Sequence, residues 1–393
     1  MTALEGPQAA VRVALAALAV ACAAAAALGI VYTLAAAVLT GRFFGRAPAP
    51  AAGFPAVTVV KAVHGSEWGL LRNLSSFLEQ DYPSPVQHLF GAHDPGDPAL
   101  RVIEELRNRH PKADITVVAD PRLHGPNRKV SNLVNMLPQA RHDVLVFSDS
   151  DVGVARDYLR SVVGELQRPG VGLVTCVYHG QPDPGFWPRL SALATDGHFL
   201  PGVVMGVALG MARPCFGQTI AMRRATLERI GGFAPFAHHL AEDHAVGEAA
   251  RALGLAVAIP PFAVSHACAE KTLASLVSHE LRWSRTIRAV DPAGHLGSAL
   301  VHPFAFAVLA ALLSGGAAWS LALAAAALAA RLALKVRVDR ALRRGSRDVL
   351  LLPLWDLLAL GIFAASFRSS RVTWRGHRFS VDRQGRMSPV PHE

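Results

Sequence analysis

Two carboxylates at close spacing could hold a divalent metal ion. Asp149 and Asp151 form an Asp-x-Asp sequence directly after the apolar run Val144–Phe147. Carboxylate oxygens are the hard ligands that Mg²⁺ and Mn²⁺ prefer, and such an ion in turn grips a diphosphate. Acidic residues are also common in the turns that follow strands. The spacing alone therefore leaves both a metal site and an ordinary turn open.

Two further acidic pairs could take part in a transfer reaction. Glu242 and Asp243 precede a predicted helix over His244–Leu253, and Asp94 and Asp97 follow an apolar run. A carboxylate such as Asp243 could remove the proton from a hydroxyl nucleophile as a general base. It could equally cap the helix, because Asp accepts hydrogen bonds from the free N–H groups of a first turn.

An Arg-Trp pair, Arg282-Trp283, lies just before the apolar C-terminal part of the chain, in the sequence His-Glu-Leu-Arg-Trp. The Arg282 guanidinium could make bidentate contacts with a phosphate group. The pair is also typical of a membrane interface, where Trp lies at the level of the lipid headgroups. His279, at the start of this sequence, is either a site residue or a polar helix residue.

The elements that must position these groups form an α/β pattern over residues 54–292. Short apolar runs predict strands over Val57–Val63, His88–Ala92, Ile115–Ala119, Val144–Phe147 and Val171–Val177. Helical patterns lie between them, as in Leu70–Glu79 and Leu100–Arg109. The alternation predicts a mostly parallel, mixed sheet covered on both faces, with ligands beyond the carboxyl ends of its strands.

Several function classes are excluded by what the sequence lacks. Its four cysteines have no paired spacing, which excludes a disulfide scaffold and a zinc site. It contains no Gly-x-Gly-x-x-Gly after a strand, no P-loop and no Gly-x-Ser-x-Gly, so dinucleotide-binding, P-loop and serine hydrolase functions are disfavoured. The large polar domain and the few polar groups in the apolar segments exclude a transporter.

Composition indicates a membrane protein, since 51% of the residues are hydrophobic and only 17% are charged. Val13–Leu39 is uncharged and long enough to span a bilayer, and it is too long for a cleaved signal peptide. Arg42 and Arg46 follow it and place the next segment in the cytoplasm. The predicted organisation is an N-terminal end (1–12), a transmembrane helix (13–39), a cytoplasmic catalytic domain (54–292), a two-helix membrane hairpin (297–334), a basic loop (335–348), a transmembrane or re-entrant segment (349–367) and a basic tail (368–393).

The net charge of +10 is confined to two segments that flank the predicted membrane helices. Arg331–Asp348 has seven basic and two acidic residues, and Arg368–Arg386 has six and one. Basic segments at membrane ends predict contact with an anionic leaflet. Because these residues are not interleaved with stacking aromatic residues on one domain, a nucleic-acid partner is not expected.

Four acidic or basic motifs follow one another in this order: the acidic residue after strand two, the Asp-x-Asp, the Glu-Asp and the x-x-Arg-Trp before membrane helices. Together they resemble the processive and lipid-modifying family 2 glycosyltransferases, and most of all the ceramide glucosyltransferase group (family 2/21-like). The resemblance extends over nearly the whole chain and includes Asn127-Arg128-Lys129 and the tail Trp374-Arg375-Gly376-His377-Arg378. Other stretches, such as His124-Gly125-Pro126 and Gly172-Leu173-Val174-Thr175-Cys176, are most similar to the bacterial branch that glycosylates hopanoids.

The resemblance implies a GT-A type nucleotide-sugar-binding fold and an inverting transfer from a UDP-sugar to a lipid hydroxyl, at the bacterial inner membrane. It assigns the following roles. Asp94, with Asp97 as the alternative, and Lys129 contact the nucleotide, although Lys129 could equally be a surface lysine at the start of a helix. Asp149, assisted by Asp151, holds Mg²⁺ or Mn²⁺, and Asp243 is the base. Arg282 meets the leaving diphosphate, and Trp283 forms a wall of the acceptor site.

The leading expectation is transfer of N-acetylglucosamine to a hopanoid such as bacteriohopanetetrol. Transfer of glucose to ceramide is the alternative. A membrane-anchored protein that binds the nucleotide sugar without turning it over is the second alternative.

Overall fold

The computed structural model describes residues 5–345, 348–369, 371–374, 377–382 and 385–389. The helices are α1 (Glu5–Phe44), α2 (Leu70–Leu78), α3 (Pro98–Arg109), α4 (Arg128–Met136), α5 (Tyr158–Leu166), α6 (Phe186–Ala194), α7 (Leu200–Ala208), α8 (Arg224–Arg229), α9 (Glu242–Ala252), α10 (Leu273–Val290), α11 (Pro292–Gly297), α12 (Pro303–Leu313), α13 (Ala318–Ala341) and α14 (Leu352–Ser366). The strands are β1 (Val57–Ala62), β2 (Val86–Ala92), β3 (Asp114–Ala119), β4 (Val144–Phe147), β5 (Val152–Gly153), β6 (Val171–Thr175), β7 (Val177–Pro182), β8 (Ile220–Arg223), β9 (Ala256–Ala258), β10 (Ala263–Cys268), β11 (Arg371–Trp374), β12 (His377–Val381) and β13 (Met387–Pro389).

The chain divides into two compact units. An α/β unit contains residues 46–188 and 213–272 together with the C-terminal segment from residue 370. A helical unit contains residues 1–45, 189–212 and 273–369. Each unit is therefore assembled from separate stretches of sequence.

The α/β unit is built on a mixed sheet whose strand order, within the described residues, is β3-β2-β1-β4-β8-β6-β9. β1 pairs in parallel with β2 and β4, and β2 with β3, whereas β8 runs antiparallel to β4 and β6. The carboxyl ends of β1, β2 and β4 consequently meet at one edge. The predicted mixed, mostly parallel α/β sheet is confirmed.

Helices cover both faces of this sheet, because its central strands are apolar on both sides. Leu133 of α4 and Val246 of α9 pack with Val60 on one face. Leu74 of α2 and Ile103 of α3 pack in the cluster on the other face. Each such side chain, fully buried, contributes on the order of 1.5–3 kcal/mol to stability.

The predicted strand Val171–Val177 is wrong as a single element. β6 ends at Thr175 in the main sheet, and β7 begins at Val177 and pairs in parallel with β10. β10 also pairs antiparallel with β5, so the described residues place these three strands in a second sheet, β5-β10-β7. Both halves of the run are buried and mostly apolar, and the hydrophobic pattern therefore does not mark the break.

The C-terminal strands β11, β12 and β13 form an antiparallel sheet within the described part of the α/β unit. Val372, Phe379 and Met387 are buried together with Leu240. Arg375 and Gly376, which belong to the tail that carries part of the family resemblance, lie outside the described residues.

In the helical unit, Gly315 and Gly316 have φ of 66° and 76° and form the turn between α12 and α13. This left-handed conformation favours glycine and ends one helix so that the next can return. Ala307 of α12 and Ala327 of α13 are buried with Ala26 of α1. Residues 335–341, expected to begin a basic loop, continue α13 instead.

In the described part of the chain, two helical segments are long and apolar enough to cross a membrane, Ala9–Phe44 and Val349–Ser366. A third crossing is counted if Pro292–Val301 and Pro303–Leu313, which are bent by 65°, are one broken span. The number of crossings and their orientation stay predictions.

Candidate active site

The turn after β4 carries Asp149 and Asp151 at the carboxyl-end edge of the main sheet. All four side chains of β4 are buried between β1 and β8, which fixes the point where the chain leaves the sheet. There, the Ser148 N–H donates to the Val60 carbonyl at 3.2 Å. The sequence-predicted position of the acidic turn is thus beyond the end of a central parallel strand.

Lys129 bridges this turn and the Glu242 side chain. Its Nζ lies 2.5 Å from Asp149 Oδ1 and 2.8 Å from Glu242 Oε1, and its side chain is only 22% exposed. Burial alone would lower the pKa of Lys129, but the charges of Asp149 and Glu242 outweigh it and raise the pKa above its usual value. The ammonium therefore stays charged, and Lys129 is not a surface lysine at the start of a helix.

Asn127 connects the first turns of α4 and α9. Its Oδ1 caps α4 by accepting from the Val130 N–H at 3.1 Å. Its Nδ2 donates to Glu242 Oε2 at 3.1 Å and to the His239 carbonyl at 2.9 Å. Asn127 thereby holds the start of α4, which carries Lys129, next to the start of α9, which carries Asp243.

Asp243 lies in the first turn of α9, which begins at Glu242 rather than at His244. Its Oδ2 accepts from the Gly217 N–H at 2.9 Å, and its Oδ1 accepts from the His244 N–H at 2.8 Å. The residue in the N-cap position is Ala241, so Asp243 does not cap the helix.

Gly217 brings the site together because its missing side chain leaves room for three charged groups. A Cβ atom placed on it would lie 2.7 Å from Lys129 Nζ, 3.1 Å from Asp149 Oδ2 and 3.7 Å from Asp243 Oδ2. The predicted metal ligand, the predicted nucleotide contact and the predicted base therefore converge on one point.

Burial and the neighbouring charge of Glu242 raise the pKa of Asp243 to about 7. Lys129 and the two backbone N–H donors act in the opposite direction and limit the shift. A carboxyl with this pKa exchanges a proton near neutral pH, as a general base must.

Lys61 is a site residue that the sequence analysis did not assign. It lies in β1 with no exposed surface, and its Nζ donates to the Asp149 carbonyl at 2.7 Å and to Ser148 Oγ at 3.1 Å. Burial lowers its pKa to about 7, against the charges of Asp149, Asp151 and Glu67. The signal in the sequence was a lysine inside the mostly apolar strand Val-Thr-Val-Val-Lys-Ala.

The surroundings of Asp151 fit a cation. Its Oδ2 lies 3.4 Å from Nδ1 of His266, which β10 places beside β5, whereas its Oδ1 is buried and has no hydrogen-bond partner among the described residues. A buried carboxylate oxygen without a donor is costly unless a cation meets it. Within the described ranges no group of three or more His, Cys, Asp or Glu could hold an ion by itself. Asp149 and Asp151 suit an ion that takes its remaining ligands from phosphate and water.

Asp94 and Asp97 follow β2 and differ in their surroundings. Asp97 is buried; its Oδ1 accepts from the N–H groups of Gly65 and Ala99, and its Oδ2 contacts His64. These contacts cap α3 and fix the loop after β1. The Asp94 side chain is exposed, and within the described residues it accepts a single local bond, from the Gly96 N–H at 2.8 Å, which leaves it accessible to a ligand.

Arg282 and Trp283 lie on α10 in the helical unit, not in the α/β unit that holds the carboxylates. The Trp283 ring packs edge-on against His279, with ring centroids 4.6 Å apart, and lies 6.2 Å from the Phe199 ring. His279 therefore has a packing role against Trp283. The catalytic roles of Arg282 and Trp283 stay predictions.

Comparison with a known structure confirms the fold. The mannosyltransferase PcManGT from Pyrobaculum calidifontis, solved in complex with GDP-Man and Mn²⁺, superposes with a TM-score of 0.51 at 24% identity, over 90% of this chain and 97% of that one. This likeness confirms the predicted GT-A type α/β fold.

Curated relatives include ceramide glucosyltransferases. Ceramide glucosyltransferase 1 of Caenorhabditis elegans is 26% identical over 239 residues, which are 61% of this chain and 51% of that protein. The Candida albicans ceramide glucosyltransferase is 30% identical over 124 residues, or 29% of this chain and 23% of that protein. The chain thus spans about half the length of the first of these relatives and less of the second.

The model of glycosyltransferase family 21 matches residues 19–387, which include most of both units and all of the site residues described above. The chain therefore belongs to glycosyltransferase family 21.

Proposed function

We propose that this chain is a membrane-bound enzyme that transfers a sugar from a UDP-sugar to a hydroxyl group of a lipid, with inversion at the anomeric carbon. The observation that carries the proposal is the convergence of Asp149, Lys129 and Asp243 around Gly217. A cation site, a fixed positive charge and a carboxyl with a pKa near 7 are the three elements that such a transfer needs.

The donor would bind across the carboxyl-end edge of the main sheet. Asp94, exposed after β2, would accept hydrogen bonds from the uridine, and Lys129 would face the diphosphate side. Asp97 would position the residues around the donor rather than contact it, because its oxygens already accept hydrogen bonds from the first turn of α3 and from the loop after β1.

Asp149, with Asp151, would hold Mg²⁺ or Mn²⁺. A bound divalent ion supplies neutralisation of the negative charge that develops on the departing diphosphate. Lys61 would keep this turn in place, since its Nζ holds the Asp149 carbonyl and Ser148 Oγ from inside the sheet. Arg282 would add a second positive charge for the leaving group, and Trp283 would form a wall of the acceptor site.

Asp243 would act as the base. The acceptor oxygen attacks the anomeric carbon as the bond from that carbon to the diphosphate oxygen breaks, and the bonding pair leaves with UDP. The proton of the hydroxyl passes to an oxygen of Asp243. Attack on the face opposite the departing UDP gives inversion, which suits a base on α9 and a diphosphate site on the turn after β4.

Different observations favour two different lipid acceptors. The curated relatives are ceramide glucosyltransferases, which favours glucose transfer to ceramide. The stretches His124-Gly125-Pro126 and Gly172-Leu173-Val174-Thr175-Cys176 favour N-acetylglucosamine transfer to a hopanoid at a bacterial inner membrane. In both cases the acceptor is a lipid, and the enzyme would be multi-pass with its α/β unit in the cytoplasm.

The decisive experiment measures UDP release and lipid product by the purified chain. UDP-glucose and UDP-N-acetylglucosamine are each combined with ceramide and with bacteriohopanetetrol in detergent with Mg²⁺ or Mn²⁺. We expect UDP and glycosylated lipid in equal amounts from one donor–acceptor pair. Bound UDP-sugar without product from any pair would instead indicate a binding protein without activity.

Two variants then separate binding from chemistry. Asp243→Asn should abolish transfer and leave UDP-sugar affinity nearly unchanged, whereas Asp149→Ala should abolish metal-dependent donor binding. The matched control is Asp157→Asn, which alters an exposed carboxylate that makes no capping bond at the start of α5. Normal UDP-sugar binding by Asp149→Ala in Mg²⁺ or Mn²⁺ would falsify the metal assignment.

A further inference from the structure

A groove of about 570 Å³ lies between α1 and α13 in the helical unit. Its walls are mainly apolar and include Val38 of α1 and Leu332 and Val336 of α13. The groove lies toward the C-terminal end of the candidate membrane span Ala9–Phe44. An open, mainly apolar groove at the end of a candidate membrane span has the chemistry to contact part of a lipid acyl chain.

Three guanidinium groups line the same groove, those of Arg42, Arg337 and Arg340. Arg337 and Arg340 are three residues apart on α13, so they project from the same side of the helix. All three are exposed, and none forms an ion pair with a carboxylate in the part of the chain that the structure describes. The groove therefore carries three uncompensated positive charges.

The acidic residue nearest in sequence does not neutralise this charge. Asp339 is buried on another side of α13, where both of its oxygens lie within 2.6 Å of Lys335 Nζ. Its charge is already matched inside the helical unit. Among the residues that the structure describes, no carboxylate pairs with these three arginines, so they are available to an anionic ligand.

The Arg337 side chain lies close to Gly41 of α1. A Cβ atom placed on Gly41 would lie 1.9 Å from Nη2 of Arg337. The Arg337 guanidinium therefore lies directly against the backbone of α1, in the space that a side chain at position 41 would fill.

We propose that this groove binds one anionic phospholipid. The phosphate would take bidentate hydrogen bonds from Arg337 and further contacts from Arg42 and Arg340, and one acyl chain would lie along Val38, Leu332 and Val336. A zwitterionic lipid lacks the net charge that three arginines require, and a free anion would leave the apolar walls uncovered. The site does not depend on the transferase reaction.

The test measures lipid selectivity of the full chain in nanodiscs of phosphatidylcholine that contain spin-labelled phosphatidylglycerol or spin-labelled phosphatidylcholine. We expect a severalfold higher association constant for the anionic label. Each arginine removed should lower this preference at low salt, because each positive charge adds to the attraction of an anionic headgroup. Arg337→Gln/Arg340→Gln should therefore show nearly equal association of the two labels.

Arg12→Gln/Arg46→Gln is the matched control, since it removes the same charge at two exposed positions that do not line the groove. It should retain the preference. Gly41→Leu should reduce the preference without any change of charge, because it displaces the Arg337 guanidinium. Equal association of both labels with the unmodified chain, or an unchanged preference in the double variant, would overturn the proposal.

If the variants do not fold, the unmodified chain can be crosslinked to a photoactivatable phosphatidylglycerol instead. Crosslinks on the unmodified chain should map to peptides that contain Val38 and Val336. Competition by inorganic phosphate or UDP-sugar as strong as by phosphatidylglycerol would instead identify a site for a free anion. Crosslinks on α1 and α13 that lie only outside the groove would place the lipid elsewhere.

Discussion

The Asp243 carboxyl is suited to accept a proton because its surroundings stabilise the neutral form almost as well as the charged form. Burial and the adjacent Glu242 favour the proton-bound acid, whereas Lys129 and the N–H groups of Gly217 and His244 favour the carboxylate. The resulting pKa of about 7 makes a definite prediction for the pH dependence of the rate.

The rate should rise with pH up to about 7 and level off above it, since only the carboxylate can accept the proton. Measured as kcat/KM with saturating metal, the unmodified enzyme and Asp157→Asn should share this profile, with a slope near one on the acid side. Asp243→Glu should keep a reduced rate with a shifted midpoint. If the residual activity of Asp243→Asn still falls at low pH with the same midpoint, this carboxyl is not the titrating base.

Gly217→Ala should reduce activity without unfolding the protein. The new Cβ would lie 2.7 Å from Lys129 Nζ, so the ammonium must move. The end of a lysine side chain moves at little cost, but the bridge from Asp149 to Glu242 would be displaced. We expect kcat/KM to fall about 10- to 100-fold, as for other displacements of about 1 Å in catalytic geometry, with an unchanged Tm.

Gly53→Ala is the control for this prediction, because a Cβ at that position meets no atom within 4 Å. It should leave both kcat/KM and Tm unchanged. If Gly217→Ala turns over at the unmodified rate, the distances around Gly217 do not matter for transfer.

At the scale of elements, one buried ion pair joins α13 to α14. Arg331 donates from Nε and Nη2 to the two oxygens of Asp356, each at 2.9 Å, and from Nη1 to the Gly197 carbonyl at 2.7 Å. Nε2 of His198 lies 3.1 Å from the same carboxylate. The pair fixes the register of these helices, because neither charge can be left without its partner.

Asp356→Leu should destabilise the protein strongly, because it leaves the buried Arg331 without a counter-charge. The cost should be about 3–5 kcal/mol, measured as a large decrease of Tm in detergent. Arg331→Met/Asp356→Leu should recover most of it, since no isolated charge remains. The exposed pair of Glu105 and Arg109 offers a control, where Glu105→Gln should cost at most about 1 kcal/mol. A double variant no more stable than Asp356→Leu would contradict this account.

The elements that hold the site were largely predictable, whereas the contacts between them were not. The apolar run before Asp149 marks a buried strand whose end must turn, so the position of the acidic pair follows from the sequence. Lys129 and Glu242 are 113 positions apart, and no local pattern shows that their side chains meet. Lys61 escaped assignment because its strand is buried on both faces, where a lysine violates the pattern without revealing its partner.

On the scale of the whole molecule, the basic residues differ more in their surroundings than the sequence suggests. Within the basic segment 331–348, Arg331 and Lys335 are buried against carboxylates, and Arg344 lies 3.2 Å from Asp196. Arg337 and Arg340 are exposed and line the groove. Only part of the excess charge can therefore meet an anionic leaflet, and periodicity did not reveal which part.

The C-terminal tail was predicted only as a basic segment, yet its strands pack into the α/β unit. The Leu240 N–H donates to the Gly385 carbonyl at 2.9 Å, and the Met387 N–H donates to the His238 carbonyl at 2.7 Å. Short segments rich in charge carry little strand signal, so this sheet becomes visible only through its long-range pairing. One compact unit cannot lie on both sides of a membrane. If the candidate spans do cross one, we therefore expect an even number of crossings between residues 272 and 370.

An even number of crossings between residues 272 and 370 predicts that the tail and the α/β unit face the same compartment. Lys112→Cys and Ser388→Cys, both at exposed positions of the α/β unit, should react with a membrane-impermeant maleimide from the same side of sealed vesicles. Ala9→Cys, at the other end of α1, should react from the opposite side if α1 crosses once. The four native cysteines are buried, so the background should be low. Labelling of Ser388→Cys and Lys112→Cys from opposite sides would require an odd number of crossings, which is incompatible with the tail strands lying in the α/β unit.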